Sequence, residues 1–224
     1  MVRRNCVAPA VMNKIILTSM TAFFLCIPLA ACDPAPPPTS EPSPQDQFFE
    51  RLSLLCGKAY AGLLVSKQET DTEMAGKPMI MHVAACDSNE IEIPFHIAVD
   101  RDQWDRSRTW VISKTDKGLR LKHRHRHEDG SLDSVTNYGG DTAGTGTASR
   151  QEFPVDAESV SSFRANGLDQ SVSNIWAVEI TPPGQPDAHF AYELRRPQSA
   201  DGRHFRVEFD LSKPVAAPPP PWGD

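Results

Sequence analysis

The 224-residue chain is predicted to fold as a mostly-β domain, an antiparallel up-and-down barrel of the calycin-like type. About nine or ten segments alternate apolar and polar residues with the period of two that is typical of strands. Turn sequences rich in Gly, Pro and Asp separate them, so consecutive strands are expected to pair as hairpins. So many sequential strands in one domain favour a closed barrel, and a two-sheet β-sandwich is the alternative.

A short amphipathic helix is predicted at 44–56, before the first strand. Ser43 suits the N-cap, Pro44 suits the first helical position, and Asp46 lies near the positive end of the helix dipole. Apolar residues then recur at helical spacing, at Phe48, Leu52 and Leu55. This helix is expected to plug or flank one end of the barrel.

The strands are predicted from the alternation of side chains. A hairpin turn is expected at Glu128-Asp129-Gly130-Ser131, because Asp-Gly favours tight turns, and a Gly/Thr-rich loop is expected at 139–147. A second short helix is predicted near 156–166, with Asp156 as its cap. The predicted strands are 59–65, 79–86, 91–97, 109–113, 119–127, 132–138, 148–153, 174–181, 188–196 and 203–211.

The N-terminal segment has the composition of an export signal. Met1–Lys14 is basic, 15–29 is apolar, and small residues follow. Leu29-Ala30-Ala31-Cys32 resembles the lipobox of bacterial lipoproteins. The resemblance implies a lipid on the Cys32 sulfur and anchoring to the inner or outer membrane, with the domain facing the periplasm or exterior. Plain secretion after cleavage at a small-residue site is the alternative.

Four regions are therefore expected along the chain. Residues 1–31 form the signal peptide, and 32–43 hold the lipidated cysteine and a proline-rich linker. Residues 44–213 form one mostly-β domain, and 214–224 form a proline-rich, disordered tail.

The charge distribution argues against nucleic acid as a partner. All 29 acidic side chains follow Cys32, against 20 of the 23 basic ones. An acidic exported domain repels a phosphate backbone. The expected partners are a membrane, through the lipid anchor, and a small apolar ligand or an envelope protein.

Two cysteines, Cys56 and Cys86, belong to the folded part. In an oxidising compartment they are expected to form a disulfide, and two free buried thiols are the alternative.

A histidine strand is the best candidate for chemistry. His123, His125 and His127 alternate along a predicted strand, so they share one face. Two imidazoles at this spacing can share a divalent metal, whereas three in one extended strand need a bend. The alternative is that they hydrogen-bond inside the sheet or face solvent. A metal is the only cofactor that the sequence suggests.

No catalytic motif gives positive evidence for an enzyme. The chain lacks a G-x-S-x-G elbow, an H-E-x-x-H motif, a P-loop and a dinucleotide fingerprint. The function predicted from the sequence is therefore a membrane-anchored envelope lipoprotein that binds a small ligand or a partner protein. A metal-binding or metal-dependent protein that uses the three histidines is the alternative.

Several segments of the domain also resemble uncharacterised secreted proteins of proteobacteria, and that resemblance implies no activity. These segments are RTW at 108–110, HRHEDGS at 125–131, NYGGDT at 137–142, RQEFPVD at 150–156, FAYELRR at 190–196 and HFRVEFDL at 204–211.

Overall fold

A computed structural model of the chain describes residues 41–101 and 103–224, and these form a nearly closed antiparallel barrel of ten strands with two short helices. The predicted signal peptide, the predicted lipobox with Cys32 and most of the predicted linker lie outside the described residues. The barrel class predicted from the sequence is confirmed, and the sandwich alternative is not.

The two α-helices are α1, Pro44–Ser53, and α2, Ala157–Ala165. None of the described helices is long and apolar enough to span a membrane. The strands are β1 Ala59–Leu64, β2 Met79–His82, β3 Ala85–Cys86, β4 Glu90–Asp100, β5 Gln103–Thr115, β6 Gly118–His125, β7 Tyr138–Asp141, β8 Arg150–Pro154, β9 Ile175–Ile180, β10 His189–Arg195 and β11 His204–Val215.

The strands follow one another round the barrel almost in chain order. Their spatial order is β7-β6-β5-β4-β2-β1-β11-β10-β9-β8, and the two-residue β3 pairs with β4 beside β2. All pairings are antiparallel, including the β1–β11 pair that joins the two ends of the domain. Hairpin connections between sequential strands therefore account for nearly the whole sheet.

Helix α1 closes one end of the barrel. Ser43 and Asp46 form a reciprocal capping box, in which the Ser43 Oγ accepts from the Asp46 N–H at 3.1 Å. The apolar side of the helix is buried, and Gln45 donates to the Thr142 hydroxyl at 2.9 Å beyond the end of β7. We call this the plugged end, and the opposite end, where β6 stops and β7 starts, the mouth.

Aromatic rings fill the middle of the barrel. Trp110 stacks on Phe95 with ring centroids 4.7 Å apart and on Tyr192 at 4.5 Å. Phe190 and Phe209 complete this layer and are fully buried. Together with the apolar side chains of α1, this layer belongs to one continuous hydrophobic core.

The seam between β7 and β8 is closed by the start of α2 rather than by a strand ladder. The Gly139 carbonyl accepts from the Asp156 N–H at 2.9 Å, and the Gly139 N–H donates to the Ser159 hydroxyl at 2.8 Å. A Cβ on Gly140 would overlap the Pro154 carbonyl oxygen. Glycine is therefore required here by the close approach of two backbones.

The prediction of a strand at 132–138 and a loop from 139 is wrong. After the predicted turn the chain makes only a single bridge, between Arg126 and Leu132. Asp133 then accepts from the Val135 N–H in a local turn, and Asn137 adopts a left-handed conformation with φ 54°. The strand begins at Tyr138, and its two glycines permit the tight seam.

The C-terminal segment also differs from the expected disordered tail. Pro214 and Val215 pair with β1. The Pro219 carbonyl accepts from His96 Nε2 at 2.9 Å, and the Trp222 N–H donates to the Arg106 carbonyl at 3.2 Å. Residues 216–224, which we call the C-terminal strap, therefore lie across the outer face of β4 and β5.

Candidate functional site

The inward side chains near the mouth form a ring of polar and aromatic groups. In the register of β5 and β6, Arg108 lies opposite His125, one layer above the buried pair Trp110 and His123. Tyr138 on β7 lies opposite His123. Because alternate residues of a strand point to the same face, these side chains all project into the barrel.

His123 is buried and its two ring nitrogens are both occupied. Nδ1 lies 3.1 Å from the Tyr138 carbonyl, and Nε2 lies 2.8 Å from the Tyr192 hydroxyl. A carbonyl only accepts, so Nδ1 carries the proton and Nε2 accepts from Tyr192. Burial lowers the pKa of His123 to about 3, so its ring is neutral.

His125 lies closer to the opening and bonds to a second tyrosine. Its Nε2 is 3.0 Å from the Tyr138 hydroxyl. Burial, followed by the nearby Arg108 charge, lowers the pKa of His125 to about 4. Burial also raises the pKa of Tyr138 to about 12 and that of Tyr192 well above its usual value. All four rings are consequently neutral at neutral pH.

Two arginines flank these rings at the mouth. Arg203 is held by the buried Asp71, with an Nη2–Oδ1 distance of 2.5 Å, and by Gln68. Arg108 is held differently, since only its Nη1 bonds, to the Asp105 carboxylate and the Ser107 hydroxyl. Among the described residues, no partner is found for Nε and Nη2 of Arg108, whose side chain is 32% exposed.

These groups line a half-open cleft of about 210 Å³, which we call the mouth cavity. An adjoining cavity of about 390 Å³ shares His125, Tyr138, Tyr192 and Leu194 with it and extends toward α2. The remaining walls of the mouth cavity are mainly apolar and comprise Met74, Phe95, Ile97, Thr109, Trp110 and Phe205. A largely aromatic cleft with few polar groups is the usual form of a small-molecule site.

The histidine strand does not form the three-histidine metal site considered from the sequence. His123 and His125 point into the barrel, but β6 ends at His125 and His127 is exposed beyond it. Across residues 41–101 and 103–224, no three His, Cys, Asp or Glu side chains group in a metal-binding arrangement. Both His123 nitrogens are already bonded to protein groups, so the geometry lends the metal hypothesis no support.

The two cysteines lie at bonding distance. Their Cα atoms are 6.3 Å apart, within the range of disulfides. Cys56 follows α1 and Cys86 lies in β3, so the pair fixes the helix to the barrel wall. Cys32, the predicted lipidation site, lies outside the described residues.

The outward basic residues of β6 are paired with acids rather than free to bind anions. Arg120 meets Asp141 at 2.6 Å, and Arg124 meets Glu92 at 2.9 Å. Lys122 lies 2.8 Å from Asp156. This face therefore contributes ion pairs to the outside of the barrel.

A larger but open groove of about 880 Å³ crosses the outer face of β1, β2 and β11. Its rim includes the exposed Leu63 and Val65. It lies on the outer side of the sheet, and its lining brings together no inward-facing ring of polar groups. It is a candidate surface for a partner rather than for a small molecule.

Comparison with protein-family models, with curated proteins and with solved structures finds no match for this chain. The geometry of the site is therefore the basis on which a function can be inferred.

Sequence reasoning identified His123 and His125 but missed Arg108, Tyr138 and Tyr192. Arg108 shares the inward parity of Trp110 and Ile112 on β5, and this parity was a signal available from the sequence alone. Tyr138 was predicted to be the last residue of a strand at 132–138, whereas it is the first residue of β7. Which strands meet across the mouth depends on register, which the sequence does not specify.

Proposed function

We propose that this chain is an exported, lipid-anchored envelope protein whose barrel binds a small ligand with an apolar body at its mouth. Export and anchoring are supported by the apolar segment 15–29 and by the lipobox-like Leu29-Ala30-Ala31-Cys32. Ligand binding is supported by one observation, the aromatic mouth cavity above a filled core.

The size of the mouth cavity limits the ligand. An apolar protein cavity of about 150 Å³ is large enough to bind benzene. At about 210 Å³, the mouth cavity accommodates one substituted ring or a branched chain of similar size, and the adjoining space takes an extension. Trp110 and Tyr192 offer flat surfaces against which such a body packs.

A neutral one-ring probe tests this proposal. The full chain is titrated with 4-ethylbenzamide by calorimetry, and the same titration is run on Leu194→Trp, which fills the space shared by the two cavities. Leu54→Trp is the matched control, because Leu54 is exposed at the other end of the barrel. We expect binding by the wild type and by Leu54→Trp and its loss in Leu194→Trp. Equal binding by all three proteins, or none by the wild type, would contradict the proposal.

A partner protein is the second candidate, favoured by the outer groove with its exposed Leu63. A photo-crosslinking side chain placed at position 63 in cells is expected to give one discrete product. The same side chain at the exposed position 54 is the control. Identical product patterns at the two positions would count against a partner at the groove.

A further inference from the structure

We infer that the ligand of the mouth cavity carries a single carboxylate, which binds to Arg108. This inference rests on the proposed ligand-binding function and assigns the chemical class of the ligand. It is based on the guanidinium of Arg108, which faces into the barrel above the aromatic layer of Trp110. Part of this guanidinium has N–H groups without a protein partner among the described residues.

Arg108 is an unusual residue for its position. The inward residues of β5 beyond it, Trp110 and Ile112, are buried and apolar. The next inward side chain toward the mouth is a guanidinium that is about one-third exposed. In general, an arginine can cover apolar surface with its stem while its charged head keeps contact with water.

The other histidine, tyrosine and arginine side chains at the mouth each bond to at least one protein group. His125 and Tyr138 bond to each other, and Tyr192 donates to His123. The fork of Arg203 is filled by Asp71 and Gln68. Within the part of the chain that the structure describes, Arg108 is thus the inward cation whose Nε and Nη2 bond to no protein group.

The shape of the free edge of Arg108 indicates which acceptor it fits. Nε–H and Nη2–H point in parallel from the planar group, and a carboxylate receives such a pair with its two oxygens. A ligand that enters with its ring toward Trp110 leaves its head group at the level of Arg108. An acidic head and an apolar body therefore match two layers of the same cavity.

Nearby carboxylates limit the ligand charge to one. Asp105 already pairs with Arg108, and Asp133 lines the adjoining cavity. A doubly charged head group would face both of these anions, with only the Nε–Nη2 edge of Arg108 left to bind it. We therefore expect discrimination against dianions such as phosphonates at neutral pH.

Three probes with one ring size test the assignment by calorimetry on the full chain at pH 7.5. They are 4-ethylbenzoate, 4-ethylbenzamide and 4-ethylphenylphosphonate. Because a hydrogen bond to a charged group contributes about 1.5–3 kcal/mol, we expect the benzoate to bind at least about tenfold more tightly than the amide. The phosphonate should bind more weakly than the benzoate.

Arg108→Met keeps the length of the stem and removes the donors. It is expected to weaken benzoate binding at least about tenfold while changing amide binding less than about twofold. Arg101→Met, at an exposed position of the β4–β5 turn, is the matched control and should change neither. Arg108→Lys retains a charge beside Asp105 and is expected to bind the benzoate with intermediate affinity.

The results separate this inference from the proposed function. Amide binding that is lost in Leu194→Trp, together with no preference for the benzoate, would overturn the carboxylate assignment and leave the cavity as a binding site. Equal weakening of both probes in Arg108→Met and Arg108→Lys would also overturn it. Failure of every probe in the wild type would contradict both proposals.

Discussion

At the residue scale, the mouth depends on keeping two imidazoles neutral inside the barrel. His123 donates to a backbone carbonyl and accepts from Tyr192, so protonation would place a second donor against the Tyr192 hydroxyl in a buried space. His125 faces the Arg108 side chain across the strand pair, where a positive ring would be repelled. The aromatic lining therefore stays uncharged at neutral pH.

This arrangement predicts that the barrel loses stability as pH falls. The pKa of His123 is about 3 in the folded protein, below the ordinary value of 6.5, so between these values the unfolded chain binds the proton and the folded chain does not. The stabilisation is complete above pH 6.5 and declines as the pH falls below it. From pH 7.5 to 5.0, His123 alone should lower the free energy of unfolding by about 2 kcal/mol.

Urea denaturation of the wild type and of His123→Gln at the two pH values measures this contribution. Glutamine retains an acceptor for Tyr192 but does not titrate. The pH-dependent loss should be about 2 kcal/mol smaller in His123→Gln, and His127→Gln, at an exposed position, should behave as the wild type. An identical loss in all three proteins would show that His123 is not held neutral.

At the element scale, the barrel closes through glycines rather than through a continuous ladder. Gly140→Ala places a Cβ against the Pro154 carbonyl oxygen, so it should lower the free energy of unfolding by about 1–3 kcal/mol. Gly144→Ala is the matched control, since a Cβ there meets nothing within 4 Å. Urea denaturation at pH 7.5 compares the two variants. A Gly140→Ala protein as stable as Gly144→Ala would mean that β7 and β8 are further apart.

The C-terminal strap gives a second prediction for an element. In the intact chain His96 is fully buried and bonds to the Pro219 carbonyl. Deleting residues 216–224 removes this carbonyl and uncovers the side chain. Burial lowers the pKa of His96, so exposure to water should raise that pKa toward its ordinary value. Loss of the bond and of the cover should cost about 1–2 kcal/mol of stability.

Histidine NMR titration and thermal denaturation of the truncated chain test these two effects. A shorter deletion, which removes only residues 223–224, keeps the Pro219 and Pro220 carbonyls. It should match the wild type. If the longer deletion leaves the pKa of His96 unchanged, the strap does not cover this side chain in solution.

These elements show what sequence patterns could and could not predict. Helix α1, its cap at Ser43 and most strands were predicted, because capping and alternation are local signals. Strand β7 was missed because Gly139 and Gly140 have the composition of a loop, and only the approach of Pro154 explains them. The strap was missed because a proline-rich end offers no periodic pattern, while its bonds to His96 and Arg106 are long-range.

At the scale of the whole molecule, the ends of the barrel have different roles. The plugged end is sealed by the apolar face of α1, which the disulfide fixes to the wall, whereas the mouth presents Arg108 and His125. The inward histidines were visible in the sequence. The complete site was not, since Tyr192 bonds to His123 from a strand that lies 69 residues further along the chain.

The proposed lipid anchor makes a prediction for the whole molecule. Cys32→Ser removes the sulfur to which the lipid is expected to attach, so the chain should move from the membrane fraction to the soluble envelope fraction. Immunoblots of the fractions and the mass of the N-terminal peptide measure this. The double variant Cys56→Ser, Cys86→Ser is the control and should remain in the membrane fraction, because its lipidation site is intact. An unmodified peptide beginning at Cys32 in the wild type would refute lipidation.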